Sequence, residues 1–241
     1  MTPDVLRVEG LSFRWGNRDV LKDISLSVGR GQLVYLKGPN GSGKSTFLRC
    51  VAGLVCPHSG SLYLSGERFK GQNRKQRAQL AFVSDNPAFY DDLTAVEHLR
   101  FVLQANRRIH DYAQVELLLE RFGLLRSAQQ YPSSYSRGMR EKLALVIAFA
   151  LNPRLYLFDE PYAPLDSAAS EKLSFEIAQR VAQGASVVLS CHHPIPGLAP
   201  DKVLLLREGS IHELDESFLG EHEEAGSTQP QEPRSCRQAS G

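Results

Sequence analysis

The segment Gly38-Pro39-Asn40-Gly41-Ser42-Gly43-Lys44-Ser45 fits the pattern G-x-x-x-x-G-K-[ST] in full. Its glycines let consecutive backbone N–H groups turn inward around an anion, which makes the loop a cradle for a polyphosphate. Lys44 can reach the β- and γ-phosphates of a nucleotide, the Ser45 hydroxyl can ligate Mg²⁺, and Thr46 closes the binding segment. About one chain in a hundred of this length would match by chance, so context has to decide. Here the context agrees: the apolar run Gln32 to Lys37 before the loop reads as a strand, and Lys44 to Leu54 after it as a helix.

A second constellation lies far along the chain. Leu155-Tyr156-Leu157-Phe158 is a continuous apolar strand that ends in Asp159-Glu160-Pro161. Two carboxylates at the end of a buried strand need a reason. Opposite Ser45, Asp159 would hold Mg²⁺ through water, and Glu160 would polarise the water that attacks the terminal phosphate. The bland alternative is a solvated strand terminus; a phosphate loop in the same chain favours the chemical reading.

The elements that must position these groups follow from periodicity. Val5 to Trp15 and Ile24 to Val28 alternate apolar and polar residues as half-buried strands do, with Asn17 in the turn between them. Ser61 to Leu64 and Leu80 to Val83 read as further strands. Strand signals then stop, and helical spacing takes over at Ala95 to Gln104, Asp111 to Phe122 and Arg137 to Leu151. Strands return at Leu155 to Phe158, Ser186 to Ser190 and Lys202 to Arg207, the first two joined by a helix over Ala168 to Gln183. Strand–helix–strand alternation with very apolar strands predicts a mostly parallel, buried sheet. Gly220 to Gly241 is rich in Glu, Gln, Ser, Pro and Gly, and predicts a disordered tail.

Composition narrows the function classes. The 241 residues allow one sizeable domain, and 28 Lys+Arg against 27 Asp+Glu leave a net charge of +1. That balance lacks the basic excess of nucleic-acid binders, so no nucleic-acid partner is expected. The scattered Cys50, Cys56, Cys191 and Cys236 form no metal or disulfide pattern and fit a reducing compartment. The longest apolar run, Leu143 to Leu151, is too short to cross a bilayer and is stopped by Asn152-Pro153. Work at a membrane would therefore require a recruiting partner.

Between the two constellations lies Tyr135-Ser136-Arg137-Gly138-Met139, opening a helix. With it the chain, over about Val5 to Leu214, resembles the ATP-binding subunit of ATP-binding cassette (ABC) transporters, whose signature has the form L-S-G-G-Q. The variant signature is most similar to the exporter-type (ABC-2) branch, as is Leu93-Thr94-Ala95-Val96-Glu97-His98-Leu99. The resemblance implies an α/β fold: a P-loop NTPase (RecA-like) core with a mostly parallel sheet, an antiparallel β part at its N-terminal end and an inserted helical subdomain at about 87–150, all within a domain of residues 1–219. It also implies an ATPase that uses ATP and Mg²⁺, sits on the cytoplasmic face of the cell membrane, and works with an integral membrane permease and a second ATP-binding subunit, identical or not. Trp15 would stack on adenine. Ser136 and Gly138, at the positive end of their helix, would meet the γ-phosphate held by the second subunit, and Asp166 would reach across that dimer. His192 would donate to the γ-phosphate; its neighbour His193 is a rival, and register after the strand Ser186 to Ser190 favours His192.

Three positions depart from the family pattern. Asp85 stands where the family has a glutamine, and could still sense the metal. Arg137 replaces the first signature glycine and Met139 the glutamine. Lys44, Ser45, Asp159 and Glu160 are untouched, so hydrolysis is expected to survive. A soluble ABC-type ATPase unconnected to transport is the alternative reading. The spacing between Lys44 and Ser136 leaves no room for the long coiled coil of DNA-maintenance types.

Overall fold

The computed structural model describes residues 4–71, 73–107, 112–193, 195 and 197–214, with backbone alone for 112 and 113. Its strands are Leu6–Trp15 (β1), Arg18–Val28 (β2), Leu33–Lys37 (β3), Ser59–Leu64 (β4), Glu67–Phe69 (β5), Leu80–Val83 (β6), Leu155–Asp159 (β7), Ser186–Ser190 (β8), Lys202–Arg207 (β9) and Ser210–Leu214 (β10). The helices are Lys44–Val51 (α1), Arg74–Arg77 (α2), Ala95–Ala105 (α3), Tyr112–Arg121 (α4), Arg137–Leu151 (α5) and Ser167–Ala182 (α6).

Alternation in β1 buries Leu6, Val8, Leu11 and Phe13 on one face and exposes Arg7, Glu9 and Arg14 on the other. That face closes one side of an antiparallel sheet ordered β2-β1-β4-β5. The second sheet runs β10-β9-β3-β8-β7-β6, parallel except for the β9–β10 hairpin. The continuous apolar runs of its strands are explained by burial on both faces. Leu33, Tyr35, Tyr156 and Phe158 point into one core with α5 and α6, whereas Val34, Leu36, Leu155 and Leu157 point into another with α1 and the antiparallel sheet. The α/β fold with a mostly parallel sheet and an antiparallel N-terminal part is thus present.

Helix ends follow local chemistry. Thr94 and Glu97 form a reciprocal capping box at the start of α3. Ser136 caps α5 by accepting from Met139 N at 3.2 Å, and Asp166 caps α6 by accepting from Ala169 N at 2.7 Å. The α5 helix ends at Asn152, left-handed at φ 43°, ahead of Pro153.

Sequence and structure differ at several places. Strand β2 begins at Arg18 rather than Ile24; left-handed Asp23 at φ 49° and irregular pairing with β1 break the alternation that marks a strand. The short β5 and α2 had too few residues to show a period, and Ser210-Ile211-His212-Glu213-Leu214 of β10 does not alternate apolar and polar residues. Helix α1 stops at Val51, short of Leu54, before Gly53 at φ 68°. The predicted start of α4 at Asp111, and the predicted tail Gly220 to Gly241, lie outside the described residues.

Candidate functional site

The loop Gly38 to Gly43 leaves the C-terminal end of β3 and runs into α1. At Gly38, with φ 153°, a methyl group would come 2.4 Å from the Leu206 carbonyl oxygen, so only glycine fits between β3 and β9. The first residue before α1 is Gly43 in the left-handed region, and no side chain caps the helix. No acidic residue occupies its first turn either. The first-turn N–H groups and the positive end of the helix dipole are therefore left for an anion. The buried Ser42 hydroxyl has no hydrogen-bond partner among the described residues. Along the loop, Arg18, Asp19 and Val20 of β2 share a cavity with Pro39, Asn40, Gly41 and Ser42. Trp15 pairs with Arg18 at the tip of the β1–β2 hairpin, stays 54% exposed, and is held edge-on by Phe13 at 4.9 Å between ring centroids. A half-free aromatic face near the phosphate loop suits stacking.

Lys44 is buried, its ammonium donating to Gly38 O at 2.9 Å and to Pro39 O at 3.4 Å. It also lies 3.7 Å from Glu160 Oε1. That carboxylate is 2.8 Å from His192 Nε2. Lys44, Glu160 and His192 thus converge, although they are far apart in the chain. His193 is exposed on the next residue and shares none of these contacts.

Strand pairing sets the geometry beneath them. Asp159 lies opposite Ser190 in the β7–β8 register. The fully buried Ser190 hydroxyl donates to Asp159 Oδ1 at 2.9 Å and accepts from Glu160 N at 2.8 Å. One serine therefore orients both acids. Ser190 was absent from the sequence-derived candidates; its signal was only a polar residue ending a buried strand. Glu160 itself is left-handed at φ 52°, an uncommon conformation for a glutamate that turns its side chain toward Lys44.

Asp159 is fully buried, and its Oδ2 has no hydrogen-bond partner among the described residues. Burial raises its pKa, while the Ser45 and Ser190 hydroxyls oppose that rise. An orphaned buried carboxylate oxygen beside a serine hydroxyl fits Mg²⁺, a hard cation that prefers oxygen. No cluster of three His, Cys, Asp or Glu side chains that could hold a metal occurs among the described residues. Asp85 is exposed, and its carboxylate lies 3.9 Å from Arg49 of α1. Its neighbour Asn86 accepts from Arg140 at 3.1 Å. The segment after β6 is thereby tied to both α1 and α5.

Ser136, Gly138 and Asp166 form a separate group. A methyl at Gly138 would come 2.9 Å from Pro164 O, and Lys142 of α5 pairs with Asp166 at 3.0 Å. No hydrogen bond or ion pair among the described residues joins this group to the phosphate loop. Arg137 opens α5 with no acid in its first turn, leaving that helix end positive.

Glu141, one turn into α5, is also buried, and its Oε1 has no partner among the described residues. Burial pushes its carboxyl up to about 8; Arg137 pulls it back, and Asp85 and Asp159 push it further. The native chain then keeps a proton that the unfolded chain releases above about pH 4.5. Stability falls as pH rises from about 4.5 to about 8, and is flat above that window. Glu141→Gln removes the penalty. It is expected to stabilise the chain by about 1–3 kcal/mol at pH 8, with the gain shrinking toward pH 5, in denaturant titrations. A gain that stays constant across that range would show that Glu141 is already ionised in the native chain.

Residues 21–163 match the family model described as ABC transporter. The ABC-type transporter ATP-binding protein EcsA of Bacillus subtilis (strain 168) is 34% identical over 78% of this chain and 77% of its own length. The sulfate/thiosulfate import ATP-binding protein CysA of Synechococcus elongatus is 37% identical over 70% of this chain, which spans 49% of that protein. A solved structure of an ATP-binding subunit of an ABC transporter superposes with a TM-score of 0.79 at 33% identity, covering 89% of this chain and 91% of that one. The chain belongs to the ABC transporter family, as one of its members that bind and hydrolyse ATP.

Proposed function

We propose that this chain powers transport by a separate membrane permease, in the export direction, as one of two ATP-binding subunits at the inner face of the membrane. The observation that carries the catalytic part is the convergence of Lys44, Glu160 and His192 above Ser190 and Asp159. The inward-facing amides of the loop and the Lys44 ammonium would bind the triphosphate, and Trp15 would cover the adenine. Asp159, Ser45 and, after release from Arg49, Asp85 would hold Mg²⁺, which neutralises charge on the phosphates when bound. Glu160 would take a proton from the attacking water, and His192, fixed by Glu160 at 2.8 Å, would hold the γ-phosphate side of the site.

The second subunit's role rests on the positive, acid-free start of α5 at Ser136 and Gly138, which sits apart from the chain's own loop and is free to complete another chain's site. The unit that acts is residues 1–219, with the helices of about 87–150 offering a surface to the permease. Among the described residues no helix is long and apolar enough to cross a membrane, so the pathway would be built by another polypeptide. Export is favoured by the variant signature Tyr135-Ser136-Arg137-Gly138-Met139. Chain isolated from its native membranes at physiological salt should carry a membrane-spanning polypeptide in near-equal amount. ATP should then drive cargo into inside-out vesicles. Recovery only in particle-free fractions would favour a soluble ATPase, and loading of right-side-out vesicles from outside would favour import.

A further inference from the structure

At the end of the six-stranded sheet opposite the phosphate loop, a cavity of about 350 Å³ opens between Arg30, ahead of β3, and Arg154, ahead of β7. A single buried residue, Ser186, fixes both stems, one through its side chain and one through its backbone. The Ser186 hydroxyl donates to Gly29 O at 2.7 Å and accepts from Gly31 N at 3.1 Å, while Ser186 N donates to Arg154 O at 2.8 Å. Arg30 packs its side chain along Gly184, whose missing Cβ would lie 2.9 Å from Arg30 Nε. Among the described residues neither guanidinium has a carboxylate within ion-pair reach. The other polar groups of the cavity, Ser65, Asn152 and Gln183, are neutral. Two cations facing one cavity with no counter-charge make a site for carboxylates, which each guanidinium can grip with two parallel hydrogen bonds.

We propose that this cavity binds the carboxylates of the chain's own acidic stretch at Glu221, Glu223 and Glu224. From Asp215 to Glu224 the sequence holds five acids and no Lys or Arg. Leu214 pairs with Val203, which pairs with Tyr35, and β10 runs antiparallel to β9. The chain therefore leaves β10 heading toward the end of the sheet that carries Arg30 and Arg154. In the order β10-β9-β3-β8-β7, β3 is two strands away and β7 four, or about 10 and 19 Å at about 4.8 Å per strand. Glu221 follows Leu214 by seven residues, a reach of up to about 23 Å. Charge and reach match without any rearrangement of the sheet.

Zero-length carbodiimide coupling on the full chain tests this. Arg30→Lys with Arg154→Lys keeps both charges at exposed positions and supplies an amine that can form an amide with a touching carboxylate. Mass spectrometry should find residue 30 or 154 joined to Glu221, Glu223 or Glu224. A mixture of heavy- and normal-isotope chains should show the join within one chain. At 1 M salt, where screening acts within about 3 Å, the yield should drop about fivefold or more. Joins only to other lysines such as Lys202, joins only between chains, or no join at all would each overturn the proposal.

Discussion

Glu160→Gln is expected to leave Mg-ATP bound within a few-fold of the parent affinity and to lower turnover by about 10²–10⁴-fold. The amide keeps the shape of the side chain and can still donate to or accept from His192, so the pocket should persist. What it loses is basicity, since an amide cannot take a proton from water. The left-handed backbone at Glu160 and its N–H bond to Ser190 hold the side chain in place regardless of its charge. Single-turnover hydrolysis beside ATP binding by calorimetry separates the two quantities. Light scattering adds a third readout: with hydrolysis blocked, ATP should hold two subunits together and double the apparent mass. Turnover near the parent level would remove Glu160 from the role of base. An unchanged mass with ATP bound would point to a different chain as the second subunit.

Lys44→Ala is expected to act on the other quantity. The ammonium is held among the loop's own carbonyls and 3.7 Å from Glu160, poised to exchange those partners for phosphate oxygens. Two charge-assisted hydrogen bonds at about 1.5 kcal/mol each correspond to a loss of about a hundredfold in ATP affinity, with turnover at background. Lys44→Arg should not rescue, because the planar guanidinium fork is too large for a site in which the lysine is only 5% exposed. Calorimetric titration with Mg-ATP measures this directly. Affinity within threefold of the parent would mean that the loop binds phosphate through its amides alone. An equal fall in unfolding midpoint for Ala and Arg, with affinity retained, would instead mark Lys44 as structural.

Much of the molecule was legible from the chain alone, because the relevant signals are local. The phosphate loop is a contiguous set of residue types, and its neighbours Gln32 to Lys37 and Lys44 to Leu54 carry the strand and helix that it needs. Burial on both faces marked Leu155 to Phe158 as an inner strand ending in two acids. The helix starts at Ser136 and near Asp166 follow from side chains that reach only three residues ahead. What the chain could not announce depends on strands paired at long separation. Asp159 and Ser190 meet across 31 residues, and that register alone gives both acids a common anchor. The need for glycine at Gly38 comes from the Leu206 carbonyl of a distant strand, and the pairing of Asp85 with Arg49 from a helix that precedes it. Periodicity records which face of an element is buried; it holds no record of which other element does the burying, and that is where the second half of the site was decided.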